Sequence, residues 1–213
     1  MNYERLYQYR FREVDQLRRE AVWSVIATDI YRRMGSPQHV LDPAAGRGEF
    51  INAISAPEKW AVDAVDQGVE FGPTVKVIFA DIFTEDLPVD HFDGVFVSNF
   101  LEHLPTQQAV AELLERLRIS MVTGGTIAVM GPNFRYCPKQ YFDCADHTLP
   151  LTHISIEEHL YAAGFETQKT LARYLPFSFR GNLPSSPALV SIYLRSSALQ
   201  RLLGKQFLVL ATK

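Results

Sequence analysis

The sequence predicts an α/β fold in which helices cover both faces of a parallel sheet. Segments with the apolar pattern of strands alternate with segments of helical pattern between residues 39 and 132, and this alternation is typical of parallel sheets. The apolar runs Val95–Val97 and Ile127–Met130 are nearly continuous, which indicates strands buried on both faces.

The elements of the first two thirds follow from periodicity and from breaker residues. Apolar residues between Val14 and Ile30 recur at helical spacing until Gly35-Ser36-Pro37, so a long N-terminal helix is expected. The expected strands are His39–Asp42, Trp60–Asp66, Val75–Asp81, Phe92–Asn99 and, after Gly124-Gly125, Thr126–Asn133. The expected helices between them are near Glu49–Ser55 and Thr106–Ser120.

After Pro132 the pattern changes. Residues 133–153 are weakly periodic and rich in aromatic, His and Asp residues, which favours a functional loop or lid. The remaining expected elements are a helix at Ile156–Ala163, a strand at Phe165–Tyr174, a helix at Leu189–Leu203 and a strand at Gln206–Thr212. We expect one domain over 1–213, with a helical cap at 1–35, a core at 36–132 and an elaborated part at 133–213.

Composition and charge narrow the classes of partner. The two cysteines provide no disulfide framework and the N-terminus is too charged for a secretory signal, so a cytoplasmic protein is expected. No stretch reaches the ~18 apolar residues of a membrane span. Residues 42–115 carry 14 acidic and 3 basic residues, whereas 116–213 carry 11 basic and 5 acidic ones. This split favours an anionic ligand or contact with a membrane surface, or else a solvated basic face. The scattered basic residues argue against nucleic acid.

The segment Asp42-Pro43-Ala44-Ala45-Gly46-Arg47-Gly48 joins a predicted strand to a predicted helix. Its small residues let a ligand approach the backbone at the start of the helix. The spacing lacks the third glycine of the dinucleotide fingerprint. A carboxylate directly before the loop would repel a pyrophosphate and suits a ligand with a positive amine or sulfonium.

This loop is the first of four ordered signals, and together they resemble class I S-adenosylmethionine-dependent methyltransferases. The others are Asp66 after the second strand, Asp81-Ile82 after the third, and Ser98-Asn99-Phe100-Leu101-Glu102-His103 after the fourth. The resemblance implies a three-layer, Rossmann-like fold with seven strands, the last one antiparallel. It also implies S-adenosylmethionine as the cofactor.

The resemblance also implies a set of cofactor contacts. The glycine loop would wrap the methionine part, Asp66 would accept from both ribose hydroxyls, and Asp81 would accept from the adenine amine. Asp63 is the alternative to Asp66, but the pattern places it inside the strand. The expected cofactor residues are Asp42, Ala44, Gly46, Gly48, Phe50, Asp66, Gln67, Asp81, Ile82, Asn99 and, on the N-terminal helix, Arg19.

Two histidines are candidates for a general base. An imidazole has a pKa of about 6.5 and can accept a hydroxyl proton near neutral pH. His103 follows the fourth strand and is the first candidate, and His147 in the later loop is the second. Either side chain could instead only hydrogen-bond its own loop.

Further runs narrow the resemblance to methyltransferases found with bacterial polysaccharide and glycan biosynthesis enzymes. They include Glu49-Phe50-Ile51-Asn52, Pro132-Asn133-Phe134-Arg135-Tyr136 and Gly204-Lys205-Gln206-Phe207. The implied reaction is O-methylation of a sugar hydroxyl on a nucleotide-linked or lipid-linked glycan. The candidate acceptor contacts are Arg135, Tyr136, Tyr141, Asp143 and Asp146. The alternatives are a small-molecule or quinone-type O-methyltransferase and a non-catalytic S-adenosylmethionine-binding partner protein.

The sequence predicts no metal site and leaves the oligomeric state open. Asp143, Asp146, His147 and His153 carry metal-binding groups, but their spacing matches no metal signature, so no metal is predicted. The amphipathic helix at Leu189–Leu203 would pack on the body, on a second subunit or on a lipid surface, and the sequence does not fix the oligomeric state.

Overall fold

A computed structural model of the chain describes residues 3–12, 15–177 and 186–213. Its strands are β1 (His39–Asp42), β2 (Glu58–Asp63), β3 (Val75–Phe79), β4 (Phe92–Ser98), β5 (Met121–Pro132), β6 (Glu166–Leu175) and β7 (Gln206–Thr212). They form one seven-stranded sheet in the order β3-β2-β1-β4-β5-β7-β6.

Strand direction confirms the predicted topology. The pairs β1–β2, β2–β3, β1–β4 and β4–β5 are parallel. Strand β7 runs antiparallel to both of its neighbours, β5 and β6. The carboxyl ends of β1 to β5 therefore lie along one edge of the sheet, and the order reverses between β1 and β4, where open α/β sheets bind their ligands.

Helices cover both faces, so the three-layer expectation is confirmed. They are α1 (Tyr3–Phe11), α2 (Gln16–Arg33), α3 (Glu49–Ala53), α4 (Gln107–Ser120), α5 (Pro138–Tyr141), α6 (His153–Ala162), α7 (Pro187–Arg195) and α8 (Ser197–Leu203), with a 3₁₀ turn at Leu101–His103. One apolar core lies under α2, α3 and α7, and the other under α4 and α6. The central strands contribute alternate side chains to the two cores, as the nearly continuous apolar runs indicate.

Several predicted elements differ from the structure. Strand β5 begins at Met121, before the Gly124-Gly125 pair that was expected to precede it, and α6 begins at His153, capped by Thr152, rather than at Ile156. The helix expected at Leu189–Leu203 is two helices, because Ser196 leaves the helical conformation and accepts from the Leu199 N–H at 3.3 Å. The N-terminal helix begins at Gln16, where the Asp15 carboxylate caps the Arg18 N–H at 3.1 Å; Val14 lies outside the described residues. Strand β2 ends at Asp63 and not at Asp66.

Within the described ranges, the structure contains no helix that is long and apolar enough to cross a membrane.

Candidate functional site

A cavity of about 1460 Å³ opens where the carboxyl ends of β1 to β4 meet the N-terminal helices. This volume exceeds the roughly 300–1,000 Å³ of a typical small-ligand pocket, so a cofactor and a second ligand fit together. Its wall contains most of the predicted cofactor residues: Asp42, Ala44, Gly46, Phe50, Gln67, Asp81, Ile82, Asn99 and Arg19.

The glycine loop presents its backbone to this cavity. Gly46 has a φ of +54° and Gly48 a φ of +69°, both in the left-handed region that favours glycine. Gly46 lies in the cavity wall, whereas Gly48 does not and instead begins α3. A Cβ on Gly48 would lie 2.6 Å from the Phe71 ring. Gly48 therefore allows α3 to pack close to the chain around Phe71.

Asp42 is a buried carboxylate in the cavity wall. Asp42 is the last residue of β1 and is 3% exposed. Its Oδ1 has no hydrogen-bond partner among the described residues. Burial raises the pKa of Asp42 to about 8; the Ala44 backbone acts against this shift, and nearby Asp63 and Glu49 add to it. A cationic ligand beside Asp42 would relieve the cost of this buried charge.

The carboxylate at the tip of β2 is Asp63, which lies in the cavity wall. Its Oδ2 accepts from the Gly46 N–H at 2.7 Å and its Oδ1 from the Val65 N–H at 2.9 Å. Asp66 is exposed, accepts from the Gly68 N–H at 2.8 Å and lies outside the cavity wall. The expectation that Asp63 lies inside the strand and Asp66 ends it is wrong, because pairing with β3 stops at Asp63 and Phe79.

The ends of β3 and β4 place the next predicted residues. Asp81 is exposed in the cavity wall and accepts from the Phe83 N–H at 3.0 Å, while Ile82 is buried beside it. Asn99 has a φ of +47°, and its side chain donates to Ser98 Oγ at 3.0 Å. The left-handed backbone turns the chain away from β4 at Asn99, directly at the cavity.

The N-terminal helices form another wall. Trp23 and Arg19 of α2 line the cavity, and Arg19 forms an ion pair with Glu49 at the start of α3. Arg10 of α1 also lines it and pairs with Asp146. Helix α2 therefore lines the cavity, as expected. The sequence pattern did not predict that α1, through Arg10, would line it too.

Both candidate bases lie in the cavity wall and next to each other. The rings of His103 and His147 have centroids 4.9 Å apart. Nδ1 of His103 lies 3.0 Å from the Asp146 carbonyl oxygen. The loop that carries His147 is fixed to the 3₁₀ turn, because the Thr148 N–H donates to the Glu102 carbonyl at 2.8 Å. Burial, and next the charge of His103, lowers the pKa of His147 to about 4.

Of the predicted acceptor contacts, only Asp143 lies in the cavity wall. Arg135 is exposed, and Tyr136 stacks on His153 with ring centroids 6.1 Å apart. Tyr141 is fully buried and donates to the Leu149 carbonyl at 2.6 Å. Arg135, Tyr136, Tyr141 and Asp146 therefore lie outside this cavity wall, where their side chains face solvent or support the surrounding fold.

The four residues weighed as metal ligands do not meet as a group. His153 is 2.9 Å from Asn133 Nδ2 and is not in the cavity wall, whereas Asp143 and His147 are. Glu102, which the sequence analysis did not single out, is 3% exposed and lines the cavity beside both histidines. In the sequence, Glu102 is marked only by its place directly before His103, shortly after a buried strand.

Proteins of known structure share this architecture, although sequence comparison alone finds no match. No family model and no curated protein matches this sequence. A SAM-dependent methyltransferase from Archaeoglobus fulgidus aligns over 100% of both chains with a TM-score of 0.66 and 21% identity. The 1,6-didemethyltoxoflavin-N1-methyltransferase of Burkholderia thailandensis, with bound 1,6-didemethyltoxoflavin and S-adenosylhomocysteine, aligns over 99% of this chain and 88% of its own, with a TM-score of 0.63 and 19% identity.

A (4+2)-cyclase also shares the fold, over 89% of this chain and 80% of its own, with a TM-score of 0.62 and 15% identity. The chain therefore has the fold of class I S-adenosylmethionine-dependent methyltransferases, as the sequence resemblance implies. Because that fold also carries a cyclase, the reaction has to be argued from the site.

Proposed function

We propose that this chain is an S-adenosylmethionine-dependent methyltransferase that methylates a hydroxyl oxygen. The observation that carries the proposal is Asp42, a buried carboxylate in the wall of a large cavity, with an oxygen that has no partner among the described residues. S-adenosylmethionine brings an amine and a sulfonium, and a positive group beside Asp42 would offset its burial.

The other cofactor contacts follow from the strand ends. Gly46 allows the methionine part to approach the backbone, and Asp63, rather than Asp66, would accept from the ribose hydroxyls. Asp81 and the backbone of Ile82 lie beyond β3 in the same wall, where they would bind the adenine edge. Asn99 follows β4 and lines the same cavity, and its backbone or side-chain oxygen would hold the amine.

Methyl transfer needs the acceptor oxygen, the methyl carbon and the sulfur in line, with water excluded. The acceptor would occupy the part of the cavity near His103, His147 and Asp143. His103 is the first candidate to take the hydroxyl proton, because its Nδ1 is engaged with the Asp146 carbonyl and Nε2 is the nitrogen with which a neutral ring would accept a proton.

The acceptor class we propose is a sugar, carried on a nucleotide or a lipid. The support is the sequence resemblance to methyltransferases of bacterial glycan biosynthesis, the polar groups of Asp143 and Gln140 in this wall, and the basic charge of residues 116–213. Carboxylates and amides are groups that bind sugar hydroxyls. A neutral phenol or quinone would use none of these charges.

Calorimetric titration of S-adenosylmethionine and S-adenosylhomocysteine tests the cofactor. We expect binding of both, with Asp42→Asn weakening S-adenosylmethionine at least about 10-fold, as for a lost charge-assisted contact. Absence of any binding to the unmodified chain would overturn the proposal.

Release of S-adenosylhomocysteine, measured with nucleotide sugars, lipid-linked glycans and catechols in parallel, tests the acceptor. Turnover with catechols alone would replace the sugar by a quinone-type acceptor. Cofactor binding with no turnover on any acceptor pool would favour the non-catalytic partner protein. With the correct acceptor, His103→Ala is expected to lower turnover by about 100-fold or more if this side chain removes the proton.

A further inference from the structure

Three side chains with metal-binding atoms converge in the cavity wall. One ligand atom from each of Glu102, His103 and His147 lies within 4.8 Å of the other two. Ligand atoms around a metal with bonds of about 2.0–2.2 Å lie roughly 3.3 Å apart, so rotations of side chains that already face one another would close the site. The three come from the 3₁₀ turn and from the loop bound to it, so two separate chain segments build the cluster.

Glu102 is a buried carboxylate next to His103. Its Oε1 lies 4.0 Å from Nε2 of His103, while Arg10 forms an ion pair with Asp146. The residue is 3% exposed. Burial of a carboxylate is costly unless a positive charge compensates it, and a metal ion held by Glu102 and the two histidines would supply that charge.

The histidines are oriented as ligands. Nδ1 of His103 lies 3.0 Å from the Asp146 carbonyl oxygen, so Nε2, which lies 4.0 Å from Glu102 Oε1, is the ring nitrogen left to bind a metal. Histidines that bind metals commonly donate the other ring N–H to a carbonyl or a carboxylate in this way. Nδ1 of His147 is buried and has no hydrogen-bond partner in the part of the chain that the structure describes.

We propose that Glu102, His103 and His147 bind one divalent transition-metal ion of the Zn²⁺ or Mn²⁺ type. Two imidazoles and one carboxylate suit such ions better than Mg²⁺ or Ca²⁺, which prefer oxygen ligands. Three protein ligands leave coordination positions open towards the cavity, as in catalytic metal sites.

The chemical role that we assign to the ion rests on the proposed methyl transfer, whereas binding of the ion to the three side chains does not. An acceptor hydroxyl on the open position would lose its proton to solvent, because a bound divalent ion lowers the pKa of a coordinated oxygen. Its oxygen would then form the bond to the methyl carbon while the bond from carbon to sulfur breaks and sulfur keeps the electron pair. His103 would act as a ligand in this form and not as the base.

Titration of the untagged, chelator-treated chain with Co²⁺ tests the site directly. We expect one equivalent to give visible absorption bands, and Zn²⁺ competing with a chromophoric chelator to bind with the same stoichiometry. Glu102→Gln and His147→Gln should each weaken Zn²⁺ binding at least about 100-fold, the upper end of what the loss of an outer-shell partner costs. His159→Gln is the matched control, since His159 lies on α6 and contacts Gln107.

Circular dichroism and thermal melting of each variant establish that it is folded. If a variant does not fold, two measurements on the unmodified chain test the site instead. They are the metal titration itself and the change in the NMR signals of the His103 and His147 imidazoles when Zn²⁺ is added. No stoichiometric binding by the unmodified chain, or equal binding by folded Glu102→Gln, would overturn the metal site and leave the trio as a proton-transfer group. If the chain binds S-adenosylmethionine but not Zn²⁺, the metal site is wrong and the proposed function stands. If it binds Zn²⁺ but not S-adenosylmethionine, the proposed function is wrong and the metal site stands.

Discussion

Oδ2 of Asp63 accepts a hydrogen bond of 2.7 Å from the backbone N–H of Gly46. This contact ties the tip of β2 to the glycine loop that follows β1, so one carboxylate supports the loop and faces the cavity. A carboxylate has about four acceptor positions, and its two backbone contacts leave room for ribose hydroxyls. Asp63 therefore occupies the position at the tip of β2 that was expected for Asp66.

Replacing these two aspartates separates the assignments. Asp63→Asn should weaken S-adenosylhomocysteine binding by about 10-fold to 100-fold, from lost charge-assisted hydrogen bonds of about 1.5–3 kcal/mol. Asp66→Asn is the matched control and should leave the affinity within about 2-fold, because Asp66 is exposed and bonded to Gly68. Calorimetry at constant salt measures both, and the opposite order would return the ribose role to Asp66.

Cofactor binding should release a proton from Asp42. At pH 7 the free protein holds Asp42 mostly protonated, since its pKa is about 8. A bound cation favours the carboxylate, so S-adenosylmethionine should release up to about 0.9 proton and bind more tightly as pH rises towards 8. Calorimetry in buffers of different ionisation enthalpy measures the release.

In the chain without ligand the same raised pKa has the opposite consequence for folding. The contribution of Asp42 to stability is fully present below its unfolded pKa near 3.8 and is lost as pH rises through about 8. Asp42→Asn should abolish both effects if the variant binds; a release that persists in a folded, binding Asp42→Asn variant would assign the proton to another group.

Two glycines with similar backbone angles should respond differently to alanine. Gly48 has φ +69° and a Cβ there would lie 2.6 Å from Phe71, whereas Gly68 has φ +64° and nothing within 4 Å. Gly68→Ala should cost about 1–2 kcal/mol for the left-handed conformation alone. Gly48→Ala should cost about 1–3 kcal/mol more through the overlap with Phe71. Chemical denaturation measures the difference, and equal losses would show that Phe71 moves aside freely.

Tyr141 should prove to be a structural residue. Its hydroxyl donates to the Leu149 carbonyl at 2.6 Å and accepts from the Leu151 N–H at 3.1 Å. Tyr141→Phe leaves two buried backbone groups without this partner and should lower the free energy of unfolding by about 1–3 kcal/mol. S-adenosylhomocysteine affinity below the melting range should stay unchanged; a selective loss of acceptor affinity at full stability would restore the role that the sequence suggested.

The parts of the fold that local pattern determines were predictable. The buried strands β4 and β5 follow from the runs Val95–Val97 and Ile127–Met130, and the glycine loop follows from its small residues. The end of β2 was not predictable in this way, because the apolar pattern continues through Ala64 and Val65 while pairing with β3 stops at Asp63. Register between strands, and not local pattern, decides which carboxylate reaches the cavity.

Long-range burial explains the other differences. Glu102 is a charged residue in a short turn, and it is buried where Thr148 and Leu149 donate to its carbonyl oxygen. Tyr141 lies in a segment of weak periodicity and is buried by the same loop. Neither contact has a periodic signature, so the sequence predicted the edge of the sheet where the site lies but not the residues that complete it.

The position of β7 has a consequence for how the sheet can come apart. Residues 206–212 fill the gap between β5 and β6 and hydrogen-bond to both. Displacement of β7 would therefore detach β6 from the sheet and leave an open edge on each neighbour. Such edges are prone to pair with other chains, so β7 protects the sheet against aggregation.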